Sequence, residues 1–161
     1  LGSYLAEHMM VFVQENESED FYFRLFGTTL DALDEGVDHG LAARYFESWV
    51  LRLAGVFPAP YECPVCAGDL VEKGAVLAIS EGALFCRECT ERGPGFREVS
   101  RSAVEFLLRI GREKLTSMAT RSPSNATLGE IEGLVGRIRR HFLQHELKSY
   151  DVMQRTLAAL R

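Results

Sequence analysis

Apolar residues along this chain recur every three or four positions over long stretches, and the rhythm breaks once, in the middle. The first stretch sets Tyr4, Leu5, His8, Met9 and Phe12 on one helical face, with Ser3 as the expected cap and an end near Asn16. A second helix is expected from Asp20, with Phe21, Leu25, Phe26, Leu30 and Leu33 inward and Gly36 as its stop. A third, over about 38–54, would turn Leu41, Tyr45, Phe46, Trp49, Val50 and Leu53 to the core, with Gly55 closing it. Pro58 and Pro60 then forbid further helix.

Residues 76–79 and 83–85 are suited to strands, with Ser80, Glu81 and Gly82 as the turn between them. Helical spacing returns at Ser100 or Ser102. Ser102 and Glu105 have capping-box spacing, and Phe106, Leu107, Ile110 and Leu115 supply the stripe. A loop is expected at 122–125, and Thr127 with Glu130 reads as a second capping box opening a helix to about Leu147. Ile131, Val135, Ile138 and Phe142 would be its buried face. A last helical segment fits 149–160. The predicted fold class is mainly α: a helical bundle in two parts, 1–58 and 100–161, interrupted by a small insert at 59–99.

The insert carries the strongest chemical signal. Cys63-Pro-Val-Cys66 and Cys86-Arg-Glu-Cys89 hold the only four cysteines, separated by nineteen residues. A two-residue gap lets two thiolates grip one ion from a single turn, and two such turns complete a tetrahedral site. The spacing predicts one structural zinc ion on Cys63, Cys66, Cys86 and Cys89, within a four-cysteine zinc ribbon. Disulfides would need an oxidising compartment, yet no secretory leader opens the sequence, and a cytoplasmic location is expected. A redox motif would be a single C-x-x-C beside a βαβ pattern. A zinc deaminase needs H-x-E, which is absent. Four thiolates leave no open coordination position, so the ion would hold shape and take no part in catalysis.

The chain has 161 residues, 47% of them hydrophobic, which is enough for one ordinary core. Its net charge of −5 is unevenly spread. Residues 1–85 carry 4 Lys/Arg and 14 Asp/Glu, a balance of −10, whereas residues 86–161 carry 14 and 9, a balance of +5. Either a polyanion-facing second half or two halves that neutralise each other fits that asymmetry. Arg137, Arg140, His141, Gln144 and Lys148 fall on one side of the helix expected from Thr127, where cations could track DNA phosphates or form an ordinary solvated face. Arg87, Arg92, Arg97 and Arg101 surround the ribbon and could contact DNA, contact a partner, or neutralise the metal site.

The order of several short strings resembles the C-terminal portion of the RecO family of bacterial recombination mediators. Tyr45-Phe46-Glu47 followed by Leu51, Leu53, Gly55, Pro58 and Cys63 resembles one family run, the paired cysteines a second, and His141-Phe142-Leu143 with Leu147-Lys148-Ser149 the closing segment. Val56 stands where the family favours an aromatic residue. Family members begin with an OB-fold, whereas this chain starts in a helix without an initiator methionine, so an excised domain with weak DNA binding of its own is expected. The resemblance implies DNA binding, strand annealing, recombinase loading, a RecR-type partner, and a groove for the C-terminal tail of single-stranded-DNA-binding protein. Arg44 and Arg52, beside Phe46 and Trp49, are the cations expected to meet the tail's carboxylate, while the two aromatics suit the core.

An enzyme finds little support. P-loop, G-x-S-x-G, H-E-x-x-H and G-x-G-x-x-G motifs are all absent. His141 and His145 stand four apart, without a nearby third ligand in sequence. The competing reading is a zinc-ribbon interaction module of transcription or translation machinery, against which the flanking helices count.

Overall fold

The computed structural model describes residues 1–13, 19–90 and 95–159. Its elements are α1 (Gly2–Phe12), α2 (Glu19–Asp34), α3 (His39–Leu53), α4 (Leu70–Lys73), β1 (Ala75–Ala78), β2 (Ala83–Cys86), β3 (Phe96–Val99), α5 (Arg101–Ile110), α6 (Leu115–Ala119), α7 (Asn125–Leu143) and α8 (Tyr150–Ala159). The mainly helical class with a small β insert is the one the periodicity predicts. The expected ends near Asn16 and Leu160 lie outside the described residues.

The first three helices follow their apolar stripes. Tyr4, Leu5, His8, Met9 and Phe12 are all buried on α1, although the helix starts ahead of Ser3 and has no side-chain cap. Asp38 caps α3 by accepting from Leu41 N–H at 2.8 Å. Gly36 and Gly55, with φ of 88° and 71°, close α2 and α3 in the left-handed conformation that other residues avoid. On α2, Leu25, Phe26, Leu30 and Leu33 pack against the core as expected, but Tyr22 takes the buried place expected of Phe21, which is 56% exposed.

Two expected capping boxes are corrected. Ser100, not Ser102, caps α5, its Oγ accepting from Ala103 N–H at 3.2 Å. Glu105 instead pairs with Arg101 at 2.9 Å, and the carboxylate that accepts from Ser100 N–H, at 2.7 Å, is Glu130 of α7. The cap of α7 lies three residues earlier than Thr127, at Ser124, whose Oγ accepts from Thr127 N–H at 3.2 Å. It also ends earlier, because Gln144 adopts a left-handed φ of 62°. Ile131, Val135 and Ile138 are buried, whereas Phe142 is half-exposed and stacked on Phe12 with ring centroids 5.8 Å apart.

The insert is a three-stranded antiparallel sheet in the order β2-β1-β3, with Val76 opposite both Phe85 and Glu98. Central β1 is buried at all four positions, so its sequence shows an apolar run without alternation. One core runs through the whole fold: Leu70, Leu77, Leu84, Cys86 and Val99 of the insert join Leu41, Phe46, Leu107 and Ile131 of the helices.

Candidate metal centre

Two tight turns bring the cysteines together. In the first, Cys63 N–H donates to Gly68 O at 2.9 Å and Ala67 N–H to Cys63 O at 2.8 Å, with Ala67 in a left-handed φ of 54°. A Cβ at Gly68 would meet the Lys73 side chain at 2.6 Å and Cys66 Sγ at 3.2 Å, so a larger residue there would push the Lys73 side chain aside and crowd a ligand sulfur. The second turn begins at the end of β2, where Cys89 N–H donates to Cys86 O at 3.1 Å and Thr90 Oγ1 to the same oxygen at 2.8 Å. Asp69 caps α4 through Val71 N–H at 2.6 Å. At the far end of that turn of helix, Lys73 Nζ meets Glu88 at 2.7 Å and ties one cysteine turn to the other.

All four Sγ atoms lie within 4.8 Å of one another, and Cys66 and Cys86 are 3.7 Å apart. A tetrahedral ion with metal–sulfur bonds of about 2.3 Å requires sulfur–sulfur edges of about 3.8 Å. A disulfide would need about 2.05 Å, and all four cysteines are free. Charge points the same way. Burial alone would raise the Cys63 thiol, but N–H groups of Cys86, Cys66 and Val65 aimed at it prevail and bring it down to about 6. Cys89 is pushed up to about 12, chiefly by the neighbouring Cys86 and Cys66 sulfurs. Thiols in this arrangement cannot all ionise unless a cation sits among them. The residues therefore fit a metal ion held by four sulfurs. Among the described residues no other His, Cys, Asp or Glu cluster does, so His141 and His145 are not drawn into one.

The family model for "Recombination protein O C terminal" matches residues 1–151. The chain belongs to this family. Relatives similar to it include the DNA repair protein RecO of Syntrophus aciditrophicus, 32% identical over 95% of this chain and 60% of the relative. That of Desulforamulus reducens is 26% identical over 96% of this chain and 60% of the relative. That of Anaeromyxobacter sp. strain K is 29% identical over 84% and 57%. The chain thus spans about 60% of the length of the curated relatives it matches first. No solved structure matches it significantly.

In this recombination protein O C-terminal chain the expected surface cations divide into two groups. Arg44 is not at the surface: it is 1% exposed, and its guanidinium pairs with Glu47 and Glu132, each at 2.9 Å. The cause is helical phase, since Arg44 lies between Leu41, Ala43 and Glu47 on the buried side of α3. Arg52 is half-buried, donates to Leu107 O at 2.6 Å, and lies 5.7 Å and 5.8 Å from the Trp49 and Phe57 ring centres. Arg112 stands 6.0 Å over the ring of Tyr61, itself exposed. Arg137, Arg140 and His141 are exposed on α7, with Arg140 meeting Glu146 at 3.0 Å. Lys148 lies beyond the Gln144 turn, so it does not continue their helical row. Around the ribbon Arg87 pairs with Glu98 at 3.4 Å and Arg101 with Glu105, Arg97 is exposed, and Arg92 lies outside the described residues.

A buried polar cluster was not foreseen. Arg139, four residues after Val135 and so on the same helical face, is 1% exposed. It pairs with Glu146 at 2.5 Å and Glu47 at 3.7 Å, and donates to the Tyr4 hydroxyl, which in turn donates to Glu47. Burial holds the Tyr4 phenol well above its usual value, with the Glu47 charge adding to it. Burial also raises Glu47, against the pull of Arg44 and Arg139. On Glu146 burial is overcome by the Leu147 N–H and the two arginines, and the carboxyl is lowered. The cluster joins α1, α3 and α7 to the turn before α8.

Proposed function

We propose that this chain is the C-terminal part of a non-enzymatic DNA repair and recombination mediator, a zinc-stapled helical scaffold that docks proteins and DNA. Zinc is the ion an all-thiolate tetrahedral set suits, and a reducing cytoplasm would keep its ligands free. In the whole protein the scaffold would support strand annealing and recombinase loading, beside a RecR-type partner, with Arg137, Arg140, His141 and Lys148 meeting phosphates. Membership of the family and the relatives' names support the DNA repair role.

The observation that carries the docking reading is Arg52. Burial lowers its pKa, and the groups that pull the other way are Tyr61 and Tyr45, not a carboxylate. A desolvated guanidinium framed by Trp49, Phe57 and Tyr61 suits an incoming peptide carboxylate with an apolar last side chain, as the tail of single-stranded-DNA-binding protein would offer. The test is fluorescence anisotropy with a labelled acidic peptide ending in Phe. Arg52→Glu, or a C-terminal amide on the peptide, should weaken binding at least about tenfold. Equal binding in all three cases would defeat this reading.

A further inference from the structure

We propose that the groove between β3 and α7 is a slot for a single nucleotide of an unpaired strand, the base lying on α7 and a phosphate meeting Arg97 and Arg137. This rests on the DNA-binding reading above and assigns it a place and a mode. The groove encloses about 210 Å³, with Leu77 and Leu134 among its lining residues. On its helical side Gly129, Gly133 and Arg137 follow at successive turns. A Cβ at either glycine would meet nothing within 4 Å, so no neighbour demands the missing side chains. Glycine weakens a helix interior, yet two occur on this exposed face. Together they leave a flat stretch of backbone open to a planar ring.

The charges select the ligand. Of the two carboxylates lining the groove, Glu98 is paired with Arg87 at 3.4 Å, and Glu130 accepts from Ser100 N–H at 2.7 Å and from its hydroxyl. Among the described residues Arg97 and Arg137 have no carboxylate partner, whereas Glu130 keeps its charge under neutral donors. With Arg87 counted against Glu98, the groove is left one positive charge in excess, and an anion is drawn to its Arg97 and Arg137 side. A flat ring joined to a phosphate is the chemistry of a nucleotide. β3 is an edge strand, so an added peptide strand is the rival occupant. The link from Glu130 to Ser100, the residue following β3, ties α7 to the end of that edge, and the edge itself is only four residues long, which disfavours an added strand.

Anisotropy with labelled oligothymidylate and with an abasic strand of equal length tests the slot on the full chain. Wild type should bind oligothymidylate about tenfold tighter than the abasic strand. Gly133→Leu, and independently Gly129→Leu, should abolish that preference while keeping abasic binding, with a melting temperature equal to or above wild type. Arg97→Glu and Arg137→Glu should weaken both strands. Equal wild-type affinity for the two strands, or a preference that survives both leucine variants, would overturn the slot and leave DNA binding intact. Failure of wild type to bind either strand would overturn both readings.

Discussion

Replacing Arg44 by leucine removes the central cation of the buried cluster and leaves Glu47, 1% exposed, with the Tyr4 hydroxyl and Arg139 at 3.7 Å as its remaining support. Glu132, on the cluster's wetter edge, can relax toward water. Breaking a buried ion pair by deleting one partner costs about 3–5 kcal/mol, because the surviving charge keeps its desolvation penalty. For a chain of this size that lowers the melting temperature by roughly 10 °C. Arg44→Leu/Glu47→Leu, which removes both charges, should recover at least about 2 kcal/mol of the loss, the coupling expected of residues in direct contact. Urea and thermal melts followed by circular dichroism, at constant zinc, measure wild type, Arg44→Leu, Glu47→Leu and the double variant. A single-variant cost below about 1 kcal/mol, or a double variant as unstable as the sum of the two singles, would refute the account of Arg44 as a core ion pair.

Two further outcomes concern α1. Burial brings the pKa of His8 down to about 3, so the folded state resists a proton that the unfolded chain takes up near 6.5. Stability should therefore fall as pH drops below about 6.5, by about 2 kcal/mol at pH 5, and His8→Gln should lose that slope in melts across the range. An identical slope in the variant would contradict it. Glu7 accepts from Lys148 N–H at 2.9 Å and Ser149 N–H at 2.8 Å, capping the approach to α8 from another helix, and these bonds with the Ser149 hydroxyl outweigh burial and lower its pKa. Its contribution is present above the unfolded carboxyl pKa and lost as pH falls through the lower folded value, and Glu7→Ala should cost about 1 kcal/mol at neutral pH. Unchanged hydrogen exchange in residues 150–159 of that variant would rule the cap out.

The helices and the cysteine cluster were legible because each depends on local spacing. Tyr4, Leu5, His8, Met9 and Phe12 repeat with the helical period, and two C-x-x-C pairs at ribbon spacing leave little choice of partner. What escaped was set by long-range packing. Glu130 closes a cap thirty residues away instead of its own helix's box, and β3, with Arg97 and Glu98 between Phe96 and Val99, offers no apolar alternation. Arg44 and Arg139 look like surface cations by residue type. Their helical phase was the available signal, since Arg139 follows Val135 by four, but only the facing Glu47, Glu132 and Glu146 make such burial tolerable.

Metal analysis of freshly purified, reduced protein reaches the heart of the account. Mass spectrometry of the eluted metal should give about one zinc per chain, and chelation or Cys86→Ser should lower the melting temperature, because ligand binding is part of the folding free energy. Protein that carries no metal, and melts at the same temperature with and without the chelator, would contradict a fold stapled by four sulfurs around one ion.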